Sequence, residues 1–160
     1  MPDLNRTIVA AVAGLLQSMS AFAAGTTGFS GSWEQNTDKG QNLGMVKAVY
    51  ETLLVTQSAD RLVVDHTSKF MMKTTKRQVS YDLKGGPVPN EGAMGDKAQT
   101  VAKWVNGKLV VTWTSEGAVA GSTTVKTETR WLSADGNEMS VETVRANKPP
   151  MVLVYDKQKK

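Results

Sequence analysis

The chain has 160 residues, of which 21% are charged and 40% hydrophobic, and a formal charge of +4. That length suits one domain, and that balance excludes both a disordered tail and a bundle of membrane-spanning helices. The positive charge comes with no recognition helix, zinc-ligand spacing or aromatic-basic RNA motif. Nucleic acid is therefore not an expected partner, and the charge reads as solubility with a weak attraction to anionic surfaces.

In chain order, Arg6 precedes an apolar run from Thr7 to Leu16 that is too short to span a bilayer. Gln17-Ser18-Met19-Ser20 follows, and then the small-x-small triplet Ala21-Phe22-Ala23. A basic residue, an apolar core and an A-x-A site in that order are what a signal peptidase reads. Residues 1–23 are thus expected to be a signal peptide, cleaved after Ala23 or Ala24. The alternative is an amphipathic or buried N-terminal helix. Export permits disulfides, yet the chain has no cysteine, which excludes a disulfide framework, a lipoprotein anchor and thiol chemistry. The expectation is a periplasmic or secreted protein without a stable membrane anchor, held together by its core and sheet alone.

After residue 28 the apolar runs become short, rich in Val, Thr, Leu and Trp, and separated by turn residues, as in a meander of antiparallel strands. Tyr50 to Gln57, the turn Ser58-Ala59-Asp60 and Arg61 to Thr67 form a hairpin. Thr75 to Leu83 reads as another strand. Lys84 to Asp96, with two Pro and four Gly in thirteen positions, reads as a long functional or mobile loop. Lys97 to Val105 and Lys108 to Thr114 flank Asn106-Gly107, a pair that tolerates positive φ at both positions and so marks a tight hairpin. Thr123 to Leu132 alternates strictly, Glu138 to Arg145 and Met151 to Tyr155 complete the series, and Leu43 to Val49 can hold a short turn of helix. The expected domain covers residues 28–158.

About nine sequential strands joined by tight turns make one all-β antiparallel sheet. A sheet that wide either closes or leaves a sticky edge, so an up-and-down barrel of about 8–10 strands is expected, with a β-sandwich as the alternative. Two rows rich in threonine are candidates for its lining: Tyr50, Thr52, Leu54 and Thr56, and Val125, Thr127, Thr129 and Trp131. Hydroxyls in an enclosed barrel suit a partly hydrated cavity better than a dry core. Alternation alone is equally compatible with these rows facing solvent.

Gly31-Ser32-Trp33 at the first strand resembles the G-x-W of lipocalins and fatty-acid-binding proteins. The resemblance implies a barrel with Trp33 closing its base and Gly31 letting the chain pack closely. Lys103 to Val111, Glu128 to Asn137 and Leu153 to Gln158 are together similar to small exported bacterial proteins of lipocalin-like, calycin type, which implies the same barrel and an envelope location. The departures are definite: no T-D-Y turn, no disulfide, no pair of portal helices. Leu153 stands where the last-strand R-x-Y clamp of fatty-acid-binding proteins has its Arg, so carboxylate capture by that clamp is not implied.

His66 is the single histidine, and a strand places Asp65 and His66 on opposite faces, so they form no dyad. His66 is the one weak catalytic candidate, against an ordinary place on the surface or rim. With one His and no Cys, neither a metal site nor a cofactor is expected. Of four tryptophans, Trp113 and Trp131 are candidate cavity walls against a packing role, and Tyr50 and Tyr155 candidate hydroxyl contacts. Met71, Met72 and Met94 fall near the expected mouth. Arg130 and Arg145 are possible anion contacts or stacking partners for Trp33, but parity opposite Trp131 directs Arg130 to solvent.

The leading expectation is non-enzymatic binding of a small hydrophobic or amphiphilic molecule in the lumen, through Trp113, Trp131, Thr129, Thr127, Tyr50, Leu54 and Tyr155. An envelope isomerase or hydrolase using the same cavity is the second reading. A protein-interaction module is the third.

Overall fold

Tight turns and alternating residues dictate a meander. The computed structural model describes residues 28–159; the expected leader lies outside them. The strands are β1 Gly31–Gln35, β2 Tyr50–Gln57, β3 Arg61–Phe70, β4 Lys73–Asp82, β5 Val88–Glu91, β6 Lys97–Val105, β7 Lys108–Glu116, β8 Thr123–Leu132, β9 Glu138–Arg145 and β10 Met151–Lys157. Asn106 and Gly107 turn with φ of 49° and 77°, the left-handed pair that a two-residue hairpin requires. A one-turn 3-10 helix, Gly44–Ala48, occupies the β1–β2 connection.

Ten strands form, where about nine were expected, because the segment read as one loop from Lys84 to Asp96 contains β5. Pro89 hid it: proline cannot donate to a ladder and is confined to terminal strands. β5 is such a strand, bonded by its backbone to β6 alone.

The sheet runs β4-β3-β2-β1-β10-β9-β8-β7-β6-β5, every neighbour antiparallel. First and last strands pair, Trp33 opposite Lys157 and Gln35 opposite Tyr155. Its two ends, β4 and β5, meet across a seam closed by side chains. The Ser80 N–H donates to Asn90 Oδ1 at 3.0 Å, and Asn90 Nδ2 donates to the Ser80 carbonyl at 2.8 Å and to Thr100 Oγ1 at 2.7 Å. Arg77 donates to the Glu91 carbonyl at 3.0 Å. One amide thus imitates a backbone pair, and the result is a nearly closed up-and-down barrel.

The N-terminal end of the barrel is its floor. Phe29 and Trp33 are wholly buried; Phe29 stacks on Trp104 at 5.9 Å, and Trp33 Nε1 donates to the Phe29 carbonyl at 2.9 Å. Covering a tryptophan removes ~200 Å² from water, about 5 kcal/mol before entropy. Gly31 has φ +141°, and a Cβ there would stand 3.0 Å from Lys157 Cε, so the Gly-x-Trp spacing has a steric basis. The cation over Trp33 is Lys157, 5.2 Å from the ring centre; neither arginine considered for that role takes it. Leu62, Val64, Val79, Tyr81, Leu109, Val111 and Met139 complete the core above.

Candidate functional site

Register decides which residues line the barrel. Leu53 opposes His66, and His66 opposes Arg77. On the far wall Leu109 opposes Arg130, Arg130 opposes Val141, Val111 opposes Glu128, and Trp113 opposes Lys126. Leu53, Leu109, Val111, Trp113 and Val141 belong to the core, so their charged partners share its inner face. Charged and polar groups therefore share the inner face with the apolar core: Arg130 toward the floor end of β8, Glu51 toward the other end of β2.

Glu51 gathers several such groups. Its carboxylate accepts from the Tyr155 hydroxyl at 2.6 Å and from Ser68 Oγ at 2.9 Å, and Oε1 lies 3.0 Å from His66 Nδ1. Burial pushes this carboxyl up. The hydrogen bond and charge of His66, with the Tyr155 and Ser68 hydroxyls, outweigh that and hold it at about 2, against an ordinary 4.5. Burial, and then the negative charge of Glu51, pushes the Tyr155 phenol well above its ordinary value. The side chains of Glu51 and His66 retain 13% and 12% exposure, so solvent reaches both.

Three further groups face inward with incomplete partnerships. Gln35, beside Tyr155 in the ladder, is buried with neither its amide oxygen nor its nitrogen hydrogen-bonded. Trp113 Nε1 is likewise buried without an acceptor, its ring held edge-on by Tyr81 at 6.1 Å and capped by Lys126 Nζ at 4.3 Å. Arg130 is only 4% exposed. Its guanidinium donates to Met139 Sδ at 3.5 Å and reaches the Tyr81 hydroxyl. Among the described residues no carboxylate stands within ion-pair distance of it. Buried donors and a buried cation left in this state favour a polar or anionic guest, since native interiors pair such groups.

Several sequence expectations are corrected by this geometry. Thr127, Thr129 and Trp131 lie on the outer face of β8, with Lys108 Nζ 4.3 Å over the Trp131 ring; Tyr50 and Leu54 lie on the outer face of β2 and are exposed. The alternation was right and its phase reversed: the charged row Lys126, Glu128 and Arg130 points inward. Arg130, expected in solvent, is therefore inside. His66, weighed as a weak catalytic candidate against a place on the surface or rim, is inside beside Glu51, while Asp65 bonds outside to Gln78 at 2.7 Å. Trp113 and Tyr155 do line the interior. Glu51 and Gln35 were missed, and Arg130, weighed as an anion contact, was assigned to the wrong face. The available signal was that Glu51 shares parity with Leu53 and Val55, the apolar row of its strand.

Two concavities lie elsewhere. A groove of about 620 Å³ along β2, β3 and β4 is lined by the outward Thr52, Leu54, Thr67 and Gln78 and also touches the inward His66 and Arg77. Another of about 510 Å³ at the floor end includes Lys108, Trp131 and Gly136.

The sequence matches no family model, and no curated protein matches it. The fold is shared with solved structures. Wild-type fluorescent protein UnaG superposes with a TM-score of 0.65 at 18% identity, covering 81% of this chain and 97% of that one. Fatty-acid-binding protein 1 of Echinococcus granulosus gives 0.61 at 20% identity, covering 82% and 98%. Lipid binding protein 8 of Caenorhabditis elegans, in its apo form, gives 0.65 at 12% identity, covering 85% and 99%. These likenesses show that the chain shares the up-and-down antiparallel barrel fold of those structures.

Proposed function

We propose that this protein is a non-enzymatic carrier that holds one small amphiphilic molecule in its barrel, in the periplasm or outside the cell. The observation that carries this reading is the set of inward polar groups: Gln35 and Trp113 Nε1, buried without hydrogen-bond partners, and Arg130, buried without a carboxylate partner among the described residues. A guest with an acidic or hydrogen-bonding head answers all three, while its apolar part lies against Leu53, Val141 and the Trp113 ring. The names of the structural neighbours, fatty-acid-binding and lipid-binding proteins, support the same class. The apolar leader with its A-x-A site supports export. Native mass spectrometry of the purified chain, alone and after incubation with total lipid extract, tests the proposal. The expected result is one retained small molecule per chain, lost in Arg130→Met; a bare mass under every condition refutes it.

A second reading, an isomerase or hydrolase acting on an apolar substrate, is favoured by one observation. His66 is oriented by Glu51 through Nδ1, which leaves Nε2 for proton transfer within the lumen. Turnover of a retained molecule that stops in His66→Gln, while retention persists, would establish this reading in place of the first.

A further inference from the structure

In an up-and-down barrel alternate connections gather at one end. Those after β1, β3, β5, β7 and β9 surround the open end, and they carry the most exposed large apolar side chains of the described chain. Met45, Met71, Met72 and Met94 are each more than four-fifths exposed, and Val119 and Phe70 accompany them. The opposite end turns instead through Ser58-Ala59-Asp60, Leu83 to Pro87, Asn106-Gly107 and Ser133 to Asn137, and its most exposed large apolar side chain, Val105, reaches only 48%. Met71 also holds φ at 53°, a left-handed conformation in which Gly or Asn is less strained. A bulky apolar side chain at such a tip, 88% exposed, is free to make contact with a partner surface.

Charge indicates the partner. Lys47, Lys69, Lys73, Lys97, Arg145 and Lys148 ring the same end and are exposed, outnumbering the acids Glu91, Asp96 and Glu116 there. None of the six takes part in an ion pair among the described residues. We infer that this rim seats on an anionic phospholipid surface, with the methionine tips in the interfacial layer and the ammonium and guanidinium groups at the phosphates. The apolar tips come from separate connections with cations between them. A fluid interface accepts that arrangement without the shape match that a protein partner demands. Seated so, the open end faces the lipid. The inference does not depend on what the lumen holds.

The test uses the full chain, so that any contribution of its N-terminal segment is common to every variant. Wild type and Met71→Ser/Met72→Ser are sedimented with vesicles of one part phosphatidylglycerol to two parts phosphatidylcholine, and with phosphatidylcholine alone. Both substitutions are at exposed positions and spare the fold. The double variant is expected to bind the anionic vesicles roughly fivefold more weakly, and added salt to weaken wild type. Because the chain has no cysteine, an environment-sensitive dye at Met71→Cys or Met94→Cys reports seating directly, with Ala134→Cys at the floor end as control. Blue shifts at the first two sites and none at the third support the inference. Equal binding of the double variant, an equal shift at Ala134→Cys, or self-association at the rim without lipid binding overturns it.

Discussion

Replacing Glu51 with Gln probes the inward polar groups most sharply. The carboxylate takes bonds from Tyr155, Ser68 and His66 at 2.6, 2.9 and 3.0 Å. A carboxamide keeps one acceptor oxygen, turns an NH2 toward one of the hydroxyls or the imidazole, and loses the charge that strengthens all three. A bond to a charged group contributes about 1 kcal/mol more than a neutral one, so the loss amounts to about 2–3 kcal/mol. The shift from an ordinary 4.5 to about 2 corresponds to about 3 kcal/mol. A group depressed on folding contributes its full stability above its unfolded value and loses it as pH falls toward its folded value. Wild type should therefore weaken between about pH 4.5 and about pH 2, whereas Glu51→Gln should lack this component. Urea unfolding followed by tryptophan fluorescence measures both, at about pH 6 and about pH 3. The gap between the two proteins should be about 2–3 kcal/mol at the higher pH and clearly smaller at the lower. A gap below about 0.5 kcal/mol, or one equal at both pH values, would refute the reasoning.

Arg130→Met should raise stability by about 1–3 kcal/mol in the same unfolding assay while ligand retention falls, because a buried cation without a carboxylate is replaced by an apolar chain of similar length. Gly31→Ala should cost about 1–2 kcal/mol; the Lys157 side chain can move away, but φ at +141° cannot be relieved so easily. Asn90→Ala should remove the amide that bridges the seam and cost about 2 kcal/mol, with faster hydrogen exchange at the Ser80 amide as its local signature.

Much of the architecture is legible in the residues. The strict alternation of Thr123 to Leu132 bounds β8 as it forms, Asn106-Gly107 announces its hairpin, and Gly31 with Trp33 announces the floor. The interior is harder to read. Hydroxyls made Val125, Thr127, Thr129 and Trp131 candidates for the lumen although alternation allowed either face, and the row lies outside because the charged residues Lys126, Glu128 and Arg130 take the inner one. A strand with polar residues on both faces carries no parity signal strong enough to choose between them. The Glu51–His66 contact is hidden for another reason. It links residues fifteen apart on neighbouring strands, and only the register of the β2–β3 hairpin brings them together. β5 escaped because Pro89 argues against a strand everywhere except at a sheet's end.

The central claim is that a guest contacts the inner wall, and the four tryptophan indole N–H groups report this one by one. Trp113 Nε1 faces the interior without an acceptor, whereas Trp131 lies outside, against Lys108. Titrating 15N-labelled protein with dodecanoate, a small acidic amphiphile, and following the indole resonances measures occupancy directly. The Trp113 signal is predicted to shift to saturation while that of Trp131 holds still. A shift at Trp131 with Trp113 unmoved would place the site on the outer surface and contradict the claim.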